Sequence, residues 1–177
     1  MIGERFFKSL LTLSSTTMLA TIYFIKQNYV FCVLSDKPQI ISYIIVLILP
    51  FILTIISLLL GKFLQSETIS TVKSVEESSN NFLPSYLGYF FVGLSINTDE
   101  TFWYVFVIVF IFTYFSQSIY FNPILLILRY SFYYATTSKD KKILIISKSL
   151  LSTPDDLNKV KLKRINNFTF IKTTEED

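Results

Sequence analysis

The chain has 177 residues, 51% of them hydrophobic and 17% aromatic, with 18 Phe and 11 Tyr. That length suits one compact domain or a small bundle with a tail, and that composition sits poorly with a free-standing water-soluble globule. With no His and a single Cys, the chain cannot build Ser-His-Asp or Cys-His catalysis, a histidine zinc site or a paired-thiol cluster.

The 16 basic and 13 acidic residues are bunched between uncharged runs at 9–25, 38–61, 78–98 and 101–128. A helix needs about 20 apolar residues to cross a bilayer. The pattern predicts four transmembrane helices, over about 9–31, 38–61, 82–98 and 101–121, in a domain of residues 1–128.

The first predicted span carries Ser9, Thr12, Ser14, Ser15, Thr16, Thr17 and Thr21, hydroxyls read as packing groups that bond preceding carbonyls or neighbouring helices. It extends past Lys26, whose ammonium can snorkel. Met18-Leu19-Ala20 lacks the small-x-small pattern of signal cleavage, so the segment is read as retained. Cys32 reads as a small buried hydrophobe. The second span, nearly all Ile, Leu, Val and Phe, contains Pro50, which removes one backbone donor and predicts a kink that neighbouring helices or Thr54 help accommodate. The third is short, with Pro84, Gly88 and Gly93, and is expected to be tilted or irregular, its glycines allowing close backbone contact. Pro50 and Gly88 are the hinge candidates. The fourth has aromatic ends at Trp103, Tyr104, Tyr120 and Phe121 that read as interfacial belts, and Asn122-Pro123 breaks it.

Ten of the basic residues follow residue 128. By the positive-inside rule this sets both termini of a multi-pass membrane protein in the cytoplasm, with little mass outside. The tail, 129–177, is read as a small α+β unit. Tyr130, Phe132 and Tyr134 alternate into a hairpin with Ile143–Ile146, Thr153-Pro154-Asp155-Asp156 starts a short helix to about Lys163, and Asn167–Ile171 forms a strand with Phe168 and Phe170 on one face. About 49 residues make a marginal core alone, so homo-oligomerisation or partner binding is expected.

The tail's Tyr130, Phe132, Tyr134, Lys159, Lys161, Arg164, Phe168 and Phe170 are the candidate partner-binding residues. Their charge suits anionic headgroups first and an acidic partner second. Nucleic acid ranks last, because no recognisable binding module is present. The acid pairs Glu76-Glu77, Asp99-Glu100 and Asp155-Asp156 read as solvated, so no catalytic, cofactor or metal site is expected, nor enzymatic turnover.

Four short-looped spans followed by Tyr120-Phe121-Asn122-Pro123-Ile124-Leu125-Leu126, Arg129-Tyr130-Ser131-Phe132-Tyr133 and Arg164-Ile165-Asn166-Asn167-Phe168-Thr169-Phe170 resemble the KwaA family, the membrane subunit of the Kiwa anti-phage system. The resemblance implies a bacterial inner-membrane sensor and anchor that detects infection-related perturbation and works with a cytoplasmic DNA-binding effector, KwaB. Two other classes fit the spans, a membrane immunity protein that blocks a pore-forming toxin and a small channel.

Overall fold

A 25-residue helix, α1 (Ile2–Lys26), opens the chain, and its hydroxyls explain how so polar a segment stays helical. Thr12, Thr16, Thr17 and Thr21 each donate to the carbonyl four residues back at 2.6–3.0 Å, so few of these donors compete with the backbone ladder. The 23-residue α2 (Gln39–Gly61) follows and contains Pro50. The computed structural model describes residues 2–30, 38–69, 71–79, 83–116, 122–157 and 160–172; Cys32, Lys159, Tyr120 and Phe121 lie outside them. Next come β1 (Ser66–Thr68), β2 (Val72–Glu77), α3 (Leu83–Ser95), α4 (Asp99–Phe115), α5 (Pro123–Ile127), β3 (Ser131–Thr137), β4 (Lys142–Ser147), β5 (Lys161–Arg164) and β6 (Thr169–Ile171).

The chain divides into two compact units. One takes residues 8–56 and 83–124, and the other takes 1–7, 57–82 and 125–177. In the helical unit Leu19, Ala20, Tyr23, Ile96 and Phe102 form the core, with Tyr23 stacked on Phe102 at 4.3 Å between ring centroids. Gly93 lets α1 and α3 approach, since a Cβ there would lie 3.1 Å from Ile22 and 3.2 Å from the Leu19 carbonyl oxygen. Gly88 has nothing within 4 Å of that position, so only one of the two glycines marks a close contact. α4 starts on Thr98, whose side chain accepts from the Thr101 N–H, and carries Asp99 and Glu100 in its first turn, where the helix dipole favours negative charge.

The other unit holds a six-stranded sheet in the order β1-β5-β6-β4-β3-β2. Every neighbouring pair is antiparallel except β4 with β6. β3 and β4 pair from Ser131 with Ser147 to Thr136 with Lys142, around a turn that places Asp140 at φ 57°. The two outermost strands, β1 and β2, are consecutive in the chain and joined by residues 69–71 alone. Four Cα–Cα steps reach at most about 15 Å, whereas the edges of a flat six-stranded sheet lie about 24 Å apart. The sheet therefore curls until its edges are near, around a core of Val72, Tyr133, Ala135, Ile143, Ile145, Leu162 and Phe170 plugged by Ile69, Leu151 and Leu157. Phe132, Leu144, Ile146 and Ile171, of opposite parity, are buried as well.

This architecture corrects the expectation of an all-α bundle of four transmembrane helices with a small α+β tail. Among the described residues there are five helices and a six-stranded sheet, and one helix, Gln39–Gly61, is long and apolar enough to cross a membrane. α1 carries Glu4, Arg5, Lys8 and Lys26, α3 has 13 residues and α4 has 17. The segment expected to be a loop between the second and third spans supplies both edge strands. The helix expected from Thr153 to about Lys163 is a single 3-10 turn over Pro154–Leu157, because Lys161–Arg164 pairs instead with Ser66–Thr68 and with β6.

Candidate functional site

Pro50 sits in the middle of α2 and has no N–H, so in a regular helix the carbonyl of Val46 would go without its i+4 donor. The structure supplies one from another helix: the Thr21 hydroxyl of α1 donates to the Val46 carbonyl oxygen at 3.1 Å. Thr54, one turn after the proline, donates to the Pro50 carbonyl oxygen at 2.8 Å. Asn122 then joins the three segments. Its Nδ2 donates to Ser14 Oγ at 2.6 Å and to Thr54 Oγ1 at 3.0 Å, and its Oδ1 accepts from the Ile124 N–H at 3.0 Å at the start of α5. Ser14, Thr21, Thr54 and Asn122 are all buried, and a buried network of this kind is stable only while its members stay paired.

A second polar knot closes the other end of the helical unit. Lys26 Nζ donates to the carbonyl oxygens of Leu94 and Ile96 at 2.6 and 2.7 Å and to Asn97 Oδ1 at 2.8 Å. Its charge thus sits at the C-terminal end of α3, where the helix dipole favours a cation. Tyr23 donates from its hydroxyl to Asp99 Oδ1 at 2.6 Å, so Asp99 is a tethered acid rather than merely a solvated one.

Of the hinge candidates, Pro50 lies at the centre of the buried network and Gly88 faces open space. The candidate partner residues scatter. Phe132 and Phe170 belong to the buried set, with Phe170 5% exposed, and Tyr130 is half-buried. Arg164 is committed within its own unit, 3.6 Å from Glu4 and 3.7 Å from Glu67. Phe168 precedes β6 instead of lying in it and is 46% exposed, so it does not share a face with Phe170. Lys161 is exposed at the start of β5, and Lys159 lies outside the described residues. What the sheet does present is a pair of cation–aromatic contacts, Lys142 over Tyr134 at 4.4 Å and Lys141 over Phe168 at 4.8 Å.

Two groups of this unit have shifted acidities. Burial pushes the Tyr130 phenol up, partly opposed by the positive charge of Lys62. The Asp156 carboxylate is held below its usual range by the backbone N–H groups of Thr153 and Ser152, each 2.8 Å from Oδ2. Asp156 and Thr153 thus organise the turn together, the Asp156 N–H donating in return to the Thr153 carbonyl oxygen at 3.2 Å. No cluster of three or more His, Cys, Asp or Glu side chains among the described residues could hold a metal ion.

The central roles of Asn122, Ser14 and Thr21 were not singled out from the sequence. The available signals were a proline in an apolar helix, a hydroxyl-rich partner segment and an Asn-Pro step, but which hydroxyl meets which carbonyl depends on how the helices are rotated against each other.

The sequence model of the anti-phage protein KwaA matches residues 7–171, nearly the whole chain. No curated protein and no solved structure matches it. The chain belongs to the KwaA family, and its role is in anti-phage defence.

Proposed function

We propose that this chain is a membrane anchor and sensor that couples a perturbation of the bilayer to a cytoplasmic DNA-binding effector. The observation that carries the reading is α2: 23 residues long, with only 28% of its most apolar 18-residue stretch buried, it exposes Ile44, Leu47, Ile48, Ile52, Ile55 and Leu59. A core helix of a soluble protein buries such a face, whereas a helix in hydrocarbon does not need to. α3 and α4 add exposed Phe90, Phe91, Trp103, Val107, Ile111 and Phe112, so the helical unit exposes many large apolar side chains rather than the singly scattered ones usual in water.

The sensing element in this reading is the Pro50 network. A change in tension or thickness acts on α2, whose weakest point is the proline, and the bonds Thr21–Val46 and Asn122–Thr54 register any change in its bend. Asn122 also caps the start of α5, which leads directly into β3. The ten basic residues after residue 128 favour the cytoplasmic side for the sheet. The lysine-covered aromatics Tyr134 and Phe168 are its docking surface for an acidic partner.

The test combines carbonate extraction of native membranes with a phage-protection assay. The protein stays in the membrane fraction, Pro50→Leu leaves insertion intact and lowers protection, and Tyr134→Ala with Phe168→Ala loses co-purification of the effector. Release by carbonate sinks the anchor reading, and full protection by the Pro50 variant removes the proline from the mechanism. Point changes are needed because deleting 129–177 would leave β1 and β2 without their partner strands. A toxin captured by both wild type and the docking variant would favour an immunity role instead.

A further inference from the structure

Three chain segments meet in the sheet-bearing unit near the end of α2. Phe7 of α1 packs on Gly61, its ring 3.2 Å from where a Cβ would stand, and Lys62 lies close enough to Tyr130 for its charge to act on the phenol. Each segment pairs a basic residue with a large apolar side chain in the open: Arg5 with Phe6, 57% exposed, Lys62 with Phe63, 88% exposed, and Arg129 with Ile127, 63% exposed. The acid of the first turn, Glu4, faces Arg164 at 3.6 Å.

Arg129 occupies an unusual position. It ends α5 at φ 65°, with its N–H on the Leu126 carbonyl oxygen at 2.9 Å and the next N–H on the Leu125 carbonyl oxygen at 2.8 Å. This is the left-handed helix ending that glycine ordinarily fills, because a Cβ is disfavoured there. An exposed arginine is therefore held where a smaller residue would fold more easily, which points to work done by its side chain.

We infer that Arg5, Lys62 and Arg129, with their exposed sequence neighbours Phe6, Phe63 and Ile127, form an interaction surface for the phosphate headgroups of anionic phospholipids. Bulky apolar side chains beside cations match the boundary of a bilayer, where the ring or branched chain enters the acyl region and the charge meets phosphate. The surface lies just past the end of α2, where a crossing helix leaves hydrocarbon. The inference rests on the membrane reading above and adds a lipid preference to it.

The test uses the full chain in nanodiscs of phosphatidylcholine with and without phosphatidylglycerol, reading by native mass spectrometry the ratio of anionic to zwitterionic lipid retained. The wild type enriches the anionic lipid. Lys62→Gln and Arg129→Gln each lower the ratio roughly fivefold, whereas Lys139→Gln at the β3–β4 turn leaves it unchanged. Arg129→Gly separates binding from folding, since it relieves the left-handed strain and so raises thermal stability in detergent while still lowering the ratio. A ratio of one for wild type, or equal loss from the turn variant, overturns the inference and leaves the anchor reading standing. A chain that fails to stay in the discs at all overturns both.

Discussion

If Thr21 satisfies the carbonyl that Pro50 leaves without its usual donor, the two residues must be energetically coupled, and the coupling has a definite sign. Thr21→Val keeps the branched shape and removes the hydroxyl, so no cavity opens, but the Val46 carbonyl oxygen loses its donor at 3.1 Å. The hydroxyl shares its one proton with the Thr17 carbonyl oxygen, at 3.0 Å, but that acceptor keeps its place in the helix ladder, so the loss falls on Val46. An interhelical hydrogen bond in a bilayer averages about 0.6 kcal/mol and reaches about 1.7. Leaving a buried acceptor unpaired costs about 1–3 kcal/mol, so Thr21→Val destabilises by about 1–2 kcal/mol. With Pro50→Ala in the same chain, the backbone N–H at position 50 returns to the Val46 carbonyl and the cost of Thr21→Val falls to about 0.5 kcal/mol or less. The double-mutant cycle, read by reversible unfolding in mixed micelles, thus gives a coupling of about 1 kcal/mol. Equal costs of Thr21→Val in both backgrounds, within about 0.3 kcal/mol, would refute the reasoning.

Gly93→Ala crowds Ile22 and the Leu19 carbonyl at 3.1 and 3.2 Å and costs about 1–3 kcal/mol, while Gly88→Ala, with nothing within 4 Å, is neutral or stabilising in the same unfolding assay. Phe170→Ala empties a buried site and costs about 3–5 kcal/mol. Phe168→Ala loses only an exposed contact with Lys141 and stays within about 1 kcal/mol, so near-ultraviolet circular dichroism collapses for the first variant alone. Because the folded Asp156 carboxyl lies below its usual value, its contribution is complete above the unfolded carboxylate pKa of about 3.9 and disappears as pH falls through the folded value. Acid titration of stability is accordingly shallower in that window for Asp156→Ala than for wild type, and superimposable curves would contradict the hydrogen-bonded turn.

Much of the local structure is legible in the residues themselves. The run from Ile41 to Leu60 can be little but an apolar helix, and the alternation through Tyr130–Tyr134 and Ile143–Ile146 marks a strand pair, because both patterns depend on neighbours a few positions away. β1, with the sequence Ser-Glu-Thr, and β2, with Val-Lys-Ser-Val-Glu-Glu, carry no comparable signal. They are strands because residues about 60–100 positions later offer them edges, Lys161–Lys163 to one and Tyr133–Thr137 to the other. The same pairing makes Lys161–Arg164 a strand where a capped helix was the local expectation, and it turns Arg164 toward Glu4 and Glu67. Phe168 and Phe170 have the spacing of one strand face, yet β6 begins only at Thr169, leaving one ring outside and the other in the core. The proline is visible in the sequence; the hydroxyl that answers it is not. Periodicity and capping are properties of contiguous residues, so the sequence by itself determined the apolar helix, the β3–β4 hairpin and the resemblance to KwaA. Strand order, burial of particular rings and the Thr21–Val46 bond were decided only by the tertiary structure, because each depends on which distant segments meet and at what rotation.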